Sequence, residues 1–285
     1  MNRTFWMLLS LLVVAQLTSC QEPVDHIDGL TDSTSVMSFN IRYDNPDDGD
    51  NRWDVRKAAC VELLNDVQPE IIGMQEVLHH QKLYLDSALS SDYQSFGVGR
   101  DDGATRGEFC PIYYRDDVFT ALDSGNFWLS EDPTYPNYGW DAACKRVVTW
   151  LKLKSKRNDK IVYIFNTHFD HQGKEARRES ALLLVDAADS IIDVTQSSVM
   201  ITGDFNALLS NYILKPLKGA FHEARSNALQ RDQKGTFNAF GKLPPRKIDF
   251  IFYRQANAMT FRTIVDDYGV KHTSDHNPIV CEFHY

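Results

Sequence analysis

The sequence predicts a single α+β domain rich in sheet, and three observations predict it. From Val36 onward, apolar runs of strand length alternate with stretches of helical period. No Pro/Gly/Ser-rich linker divides that span. A chain of 285 residues, 43% of them apolar and 24% charged, can bury a substantial core without staples. The same composition excludes disorder, collagen and a polytopic membrane protein. A formal charge of -9 argues against a protein that coats nucleic acid, since that task needs a basic surface. It leaves room for an enzyme that meets phosphate at one local, metal-neutralised site.

Residues 1–19 read as a signal peptide rather than as part of the fold. Arg3 supplies a basic start and Phe5 to Leu17 a short apolar stretch, too short and interrupted to serve as a stop-transfer span. Leu17-Thr18-Ser19-Cys20 resembles the bacterial lipobox, in which the cysteine is lipidated. Export and a lipid anchor on Cys20 are therefore expected, periplasmic or at the cell surface, with the membrane touched only through that anchor. Residues 20–35 are polar and acidic, with Pro23 and Gly29, as in a tether. The catalytic domain is expected to span 36–285 and to act as a monomer. Cys60, Cys110, Cys144 and Cys281 show no zinc spacing, and both disulfides and buried thiols fit them.

Strands are expected at Val36–Arg42, Ile71–Gln75, Ile112–Tyr114, Val147–Lys154, Ile161–His168, Val199–Thr202, Ile248–Phe252 and Ile279–Phe283. Helices are expected at about Asp54–Val67 and Glu175–Val194. Asn51 to Asp54 offers capping residues for the first, and Pro69 follows its end. In the second, Leu184, Ala187, Ala188, Ile191 and Ile192 recur at helical spacing and predict one buried stripe. A weak internal echo links Ser38–Arg42 with Ile164–His168, and Ile71–Glu76 with Val199–Asp204. Two similar sheet halves facing one another would produce it; so would chance likeness between apolar strands.

Polar residues gather where these strands end, and they are types that hold a hard cation and activate water. They are Asn40, Glu76, His168 with Asp170, Asp204 with Asn206, Asp249, and Asp275 with His276. Each alone has a bland explanation as a turn former, a solvated terminus or a core histidine. Six such strand ends in one chain point to a site instead.

The ordered set Ser-Phe-Asn40, Gln75-Glu76, Asn166-Thr-His168, Gly203-Asp204-Phe-Asn206, Ile248-Asp249-Phe and Ser274-Asp275-His276-Asn-Pro resembles the endonuclease/exonuclease/phosphatase superfamily. The likeness covers about residues 36–285. Gly107–Arg115 and Lys145–Trp150 resemble secreted bacterial members near the nocturnin/deadenylase branch. The resemblance implies a deoxyribonuclease I-like fold, a four-layered αββα sandwich of two mixed sheets flanked by helices, with the site at one edge. It also implies a divalent-metal-dependent phosphoester hydrolase, either phosphodiesterase or phosphatase.

On that reading Glu76 is the first metal ligand, helped by Asn40, with Asp275 completing or supporting the site. Mg²⁺, or Mn²⁺ in its place, suits such oxygen donors. Asp204 orients or deprotonates the attacking water, and Asn206 hydrogen-bonds water or phosphate. His276 paired with Asp249 resembles the family's His–Asp couple; the carboxylate fixes the tautomer and favours imidazolium. His168 offers a second donor, and Arg146 matches the family's phosphate-binding arginine. Trp140, in an aromatic loop with Tyr135, Tyr138 and Asp141, is a candidate substrate contact, as is Asp170. That loop either stacks a ring of the substrate or covers the sandwich edge. The acidic run Asp44–Asp50 lacks the EF-hand pattern and reads as a solvated loop near the site mouth.

The substrate is expected to be a small phosphorylated molecule, nucleotide or lipid. A nuclease acting on RNA or DNA is the alternative within the same chemistry, and a non-catalytic lipoprotein that binds glycan or protein is the alternative outside it. Asp204→Asn and His276→Ala are each expected to lose most of the turnover while leaving the thermal melt intact. Near-normal, EDTA-sensitive turnover in both variants contradicts the assignment.

Overall fold

The computed structural model describes residues 32–285. The expected signal peptide, Cys20 and most of the tether lie outside the described residues. In chain order the elements are β1 (Ser33–Asn40), α1 (Trp53–Val67), β2 (Ile71–Gln75), α2 (His79–Ala88), β3 (Tyr93–Phe96), β4 (Ile112–Arg115), β5 (Phe119–Trp128), β6 (Val147–Ser155) and β7 (Ile161–His168). There follow α3 (Lys174–Ile191), β8 (Ser198–Asp204), α4 (Lys215–Ala220), β9 (His222–Glu223), α5 (Ala224–Asn227), β10 (Gln230–Arg231), β11 (Asp249–Arg254), β12 (Asn257–Thr263) and β13 (Ile279–His284).

Two mixed sheets result. One has seven strands in the order β10-β12-β13-β1-β2-β4-β3, the other six in the order β5-β6-β7-β8-β11-β9. Alternation along each strand sorts side chains into three apolar layers. Val36, Ile71, Ile164, Met200, Ile251 and Cys281 point inward and pack between the sheets. Met37, Phe39, Ile72 and Met74 point the other way, onto Cys60, Leu63 and Leu64 of α1 and Leu85 of α2. On the far side Tyr163, Phe165, Val199, Ile201 and Phe252 meet Ala181, Leu184 and Ala188 of α3, and Leu217 of α4. The product is the αββα sandwich.

The internal echo has a structural basis. β1 and β2 are parallel neighbours in one sheet, β7 and β8 are parallel neighbours in the other, and the two pairs pack face to face. In all four strands the inward positions run from apolar to polar toward the C-terminal end. Val36-Ser38-Asn40, Ile71-Gly73-Gln75, Ile164-Asn166-His168 and Met200-Thr202-Asp204 are the four series. The antiparallel β11 brings Asp249 opposite Asp204, and β13 starts just after His276, opposite Ser38. Every polar strand end therefore reaches the same edge of the sandwich.

At that edge the sheets touch through polar groups. Asn166 donates from Nδ2 to the carbonyls of Met74 (2.6 Å) and Pro111 (3.0 Å) in the opposite sheet. Its Oδ1 accepts from Gln75 Nε2 (2.7 Å) and Thr202 Oγ1 (3.0 Å). Gly73 leaves room for this crossing: a Cβ there would lie 2.0 Å from Thr202 Oγ1 and 2.7 Å from Asn166 Oδ1.

Several expectations need adjustment. β1 opens at Ser33, so the last residues assigned to the tether are strand, and it stops at Asn40, short of Arg42. α1 is preceded by a 3₁₀ turn, Pro46–Asn51, and its N-cap Arg52 makes no side-chain capping bond. The helix ends at Gln68, whose φ of 47° turns the chain into Pro69. α3 stops at Ile191, and its start is capped from a distance by Asp141, whose carboxylate accepts from the backbone N–H groups of Lys174, Glu175 and Ala176. The thiols of Cys60, Cys110, Cys144 and Cys281 are free. Among the described residues no helix is long and apolar enough to cross a membrane.

Gly73→Ala is expected to destabilise the fold by roughly 1–3 kcal/mol or more in chemical denaturation, through overpacking against Thr202 and Asn166. Gly219→Ala in α4 meets nothing within 4 Å and serves as the control, neutral or slightly stabilising. Equal stability of the two variants contradicts the close approach of the sheets.

Candidate active site

The strand ends enclose a cavity of about 790 Å³. Glu76, His168, Asp204, Asn206, Asp275 and His276 line it, with Arg146 beside them. Asp204 is the hub. Its Oδ2 lies 3.1 Å from Asn40 Nδ2, 3.5 Å from His168 Nε2 and 3.6 Å from His276 Nε2, and its Oδ1 accepts the backbone N–H of Asn206 at 2.9 Å. Register explains the meeting: His168 pairs with Asp204 across β7 and β8, and Asp204 with Asp249 across β8 and β11.

Asn40 bridges Glu76 Oε1 (3.0 Å) and Asp204 through its amide nitrogen, while its Oδ1 accepts the backbone N–H of Arg42. A cation held by Asn40 requires the amide to turn over and release that N–H; as it stands, Asn40 sets the spacing of the two carboxylates. Glu76 Oε2 accepts the Tyr43 N–H. Arg42, absent from the sequence-predicted set, reaches across this corner, with Nη1 3.8 Å from Glu76 and Nε 3.9 Å from Asp275. Two bonds of 3.0 Å to Asp48, in the acidic loop, hold its guanidinium there. Arg42, Glu76 and Asn206 all have φ near 50–60°, a conformation that aims their side chains at the cost of backbone strain.

Burial and neighbouring charge push the titratable groups apart. Burial, then the Asp249 carboxylate, raises the pKa of Asp204 to about 7. Burial disfavours the imidazolium of His276, but Asp249 and Asp204 outweigh it and raise its pKa to about 10. His276 Nδ1 lies 2.9 Å from Asp249 Oδ2, so the ring is oriented as well as charged. Burial, with Arg146 and Arg100 nearby, drives His168 well below the usual histidine range, so it is neutral. Burial also raises Asp275. The site thus offers a carboxylate that takes a proton near neutral pH, a fixed cation and a neutral imidazole.

Among the described residues three groups of three side chains present ligand atoms within 4.8 Å of one another: Glu76, His168 and Asp204; Asp204, Asp249 and His276; and Cys144, Asp170 and His171. The first fits a divalent cation by donor type, since two carboxylates and an uncharged imidazole surround it. In the second His276 carries a proton, so it serves as a charged hydrogen-bond donor rather than as a ligand.

Two of the sequence-predicted contacts take other positions. Asp170 is buried and does not line the cavity. Its oxygens accept the N–H groups of Gln172, Gly173 and Cys144 and face Arg146 Nε at 3.4 Å, so it positions the arginine and leaves no oxygen for substrate. Trp140 is absent from the cavity wall too; its backbone N–H bonds Glu131, and Asp141 next to it caps α3, while Tyr135 and Tyr138 of the same loop stand exposed. Arg146 is in place: Nη2 contacts His171 Nδ1 at 3.0 Å, and Nη1 is buried without a partner. Arg42, Arg100, Glu108, His171, Phe237 and Arg246 also belong to the wall. They come from loops whose sequences lack strand-end periodicity, and only the Gly107-Glu108 motif flagged any of them.

Residues 37–276 match the model of the Endonuclease/Exonuclease/phosphatase family. An endonuclease/exonuclease/phosphatase from Bacteroides vulgatus is 39% identical, with a TM-score of 0.84 over 88% of this chain and 98% of that one. A mannosyl-6-phosphatase from Bacteroides thetaiotaomicron is 31% identical, with a TM-score of 0.84 over 88% of this chain and all of the other. The human nocturnin catalytic domain shares the fold at 19% identity, with a TM-score of 0.69 over 88% of this chain and 94% of that one. An uncharacterized protein of Acanthamoeba polyphaga mimivirus is 26% identical over 81% of this chain and 92% of its own length. With six motifs converging on one edge of an αββα sandwich, the chain belongs to the endonuclease/exonuclease/phosphatase family, whose members hydrolyse phosphoester bonds.

Proposed function

We propose that this protein is a Mg²⁺- or Mn²⁺-dependent phosphatase that cleaves a small phosphorylated molecule by direct attack of water on phosphorus. One observation carries the reading: Asp204, charged His276 and the unpartnered Nη1 of Arg146 belong to the same cavity. Asp204 Oδ2 takes the proton of the attacking water, at the point of the cavity on which Asn40, His168 and His276 converge. Asn206 fixes Asp204 through its backbone N–H and holds His168 Nε2 at 3.0 Å from its amide. His276 and Arg146 place positive charge where the phosphoryl oxygens gain negative charge. Glu76 and Asp204 are the carboxylates that would hold the cation, which when bound neutralises phosphate charge and lowers the pKa of its water.

Three features favour a small substrate over a nucleic acid strand. The chain is acidic overall. The cavity is local, and its four acids, Glu76, Glu108, Asp204 and Asp275, balance its four arginines, Arg42, Arg100, Arg146 and Arg246, so it is no basic track. The similar protein from Bacteroides thetaiotaomicron is described as a mannosyl-6-phosphatase. A panel of sugar phosphates, inositol phosphates, nucleotides, nitrophenyl mono- and diesters, sphingomyelin, RNA and DNA, each with Mg²⁺ and with Mn²⁺, tests the reading. The expected outcome is fastest release of phosphate from a monoester of a small alcohol, abolished by EDTA. Preferential cleavage of RNA or DNA overturns the substrate class, and no turnover of any ester overturns the hydrolase reading.

A further inference from the structure

We propose that Arg100 and Glu108 form a hydroxyl-binding subsite in the wall of the same cavity, so that the alcohol released is a polyol such as a sugar. The proposal rests on the hydrolase reading above and names its leaving group.

Glu108 sits one imidazole ring away from the reacting centre. His168 reaches Asp204 with Nε2 at 3.5 Å, and its Nδ1 lies 3.8 Å from Glu108 Oε2 on the other side. A group bound at Glu108 is therefore a near neighbour of a phosphoryl group at Asp204. Glu108 Oε2 accepts from Arg100 Nη1 at 2.7 Å. That bond engages Oε2 alone of the two carboxylate oxygens, and Arg100 Nε is buried without a hydrogen bond, 4.0 Å from Asp101 Oδ1. Both residues line the cavity.

The chemistry of that pair selects its ligand. A carboxylate repels a second phosphate, so the pair does not extend the anion site. It holds a second carboxylate oxygen beside a guanidinium with a spare donor. A hydroxyl both donates and accepts, so neighbouring hydroxyls of a sugar ring satisfy both groups together. Arg100 Nε stays buried and unpaired in this ion pair, which costs stability.

The loop that carries the pair is built to keep it in place. Arg100 N–H bonds the Glu108 carbonyl, Asp101 N–H the Arg106 carbonyl, and Asp102 accepts from the N–H groups of Ala104 and Arg106. A Cβ on Gly99 would stand 2.2 Å from the Arg106 oxygen, so the two arms of the loop are in close contact.

The test compares mannose 6-phosphate with cyclohexylmethyl phosphate, which keeps a six-membered ring and the ester but no hydroxyls. The wild-type protein is expected to prefer the sugar ester in kcat/KM by about a hundredfold, and Glu108→Gln to cut that preference about tenfold or more. Arg100→Lys, which keeps the charge and loses the fork, is expected to do the same and serves if Glu108→Gln does not fold. Both variants are checked by thermal melting. Turnover of both esters at a ratio that the variants leave within about twofold of wild type overturns the subsite alone, because a mere loop brace lowers both substrates together. No turnover of either ester by the wild-type protein overturns the hydrolase reading, and the subsite with it.

Discussion

The structure depends on the close approach of two sheets at one edge, where Asn166 crosses from β7 to bond the carbonyls of Met74 and Pro111. Between the sheets, deeper in, the contact is apolar and needs no particular geometry. At the edge it is polar, and buried amides must be paired or they cost free energy. Gly73 supplies the space and Gln75 and Thr202 supply the partners. That crossing sets the relative height of the sheets. Asn40 and Glu76 from one, and His168 and Asp249 from the other, then gather around Asp204, with Asn40 Nδ2 at 3.1 Å and His168 Nε2 at 3.5 Å from its Oδ2.

The site is bought with charge burial and backbone strain. Four acids, Glu76, Asp204, Asp249 and Asp275, are all largely buried. Arg42, His276 and the amide of Asn40 offset them in part. Buried charge is weak evidence for stability, because desolvation consumes much of the attraction. Three apolar layers hold the arrangement together against that cost. The consequence is functional: the same desolvation and like-charge crowding carry Asp204 toward neutrality, while its neighbours keep His276 protonated.

Much of this was legible in the sequence, for a physical reason. Central strands buried on both faces read as apolar runs, so β1, β2, β7, β8, β11 and β13 and their polar ends stood out. Edge strands did not. β5 has a long exposed stretch and β3 is only partly buried, so neither carries an apolar run. Asp170 and Trp140 show the other limit. Position near a motif located them beside the site, but the partners that turn Asp170 to Arg146 and the loop of Trp140 to α3 come from distant segments. The site roles of Arg100 and Arg246 were hidden because they arise from tertiary proximity, across loops with no period to read.

The central claim is that the carboxylate hub at Asp204 directs water to phosphorus. Hydrolysis in ¹⁸O-labelled water with Mg²⁺, analysed by mass spectrometry, tests it most directly. One labelled oxygen is expected in the phosphate released in a single turnover, and none in the alcohol. Label in the alcohol, or release that persists at full rate in EDTA, contradicts it.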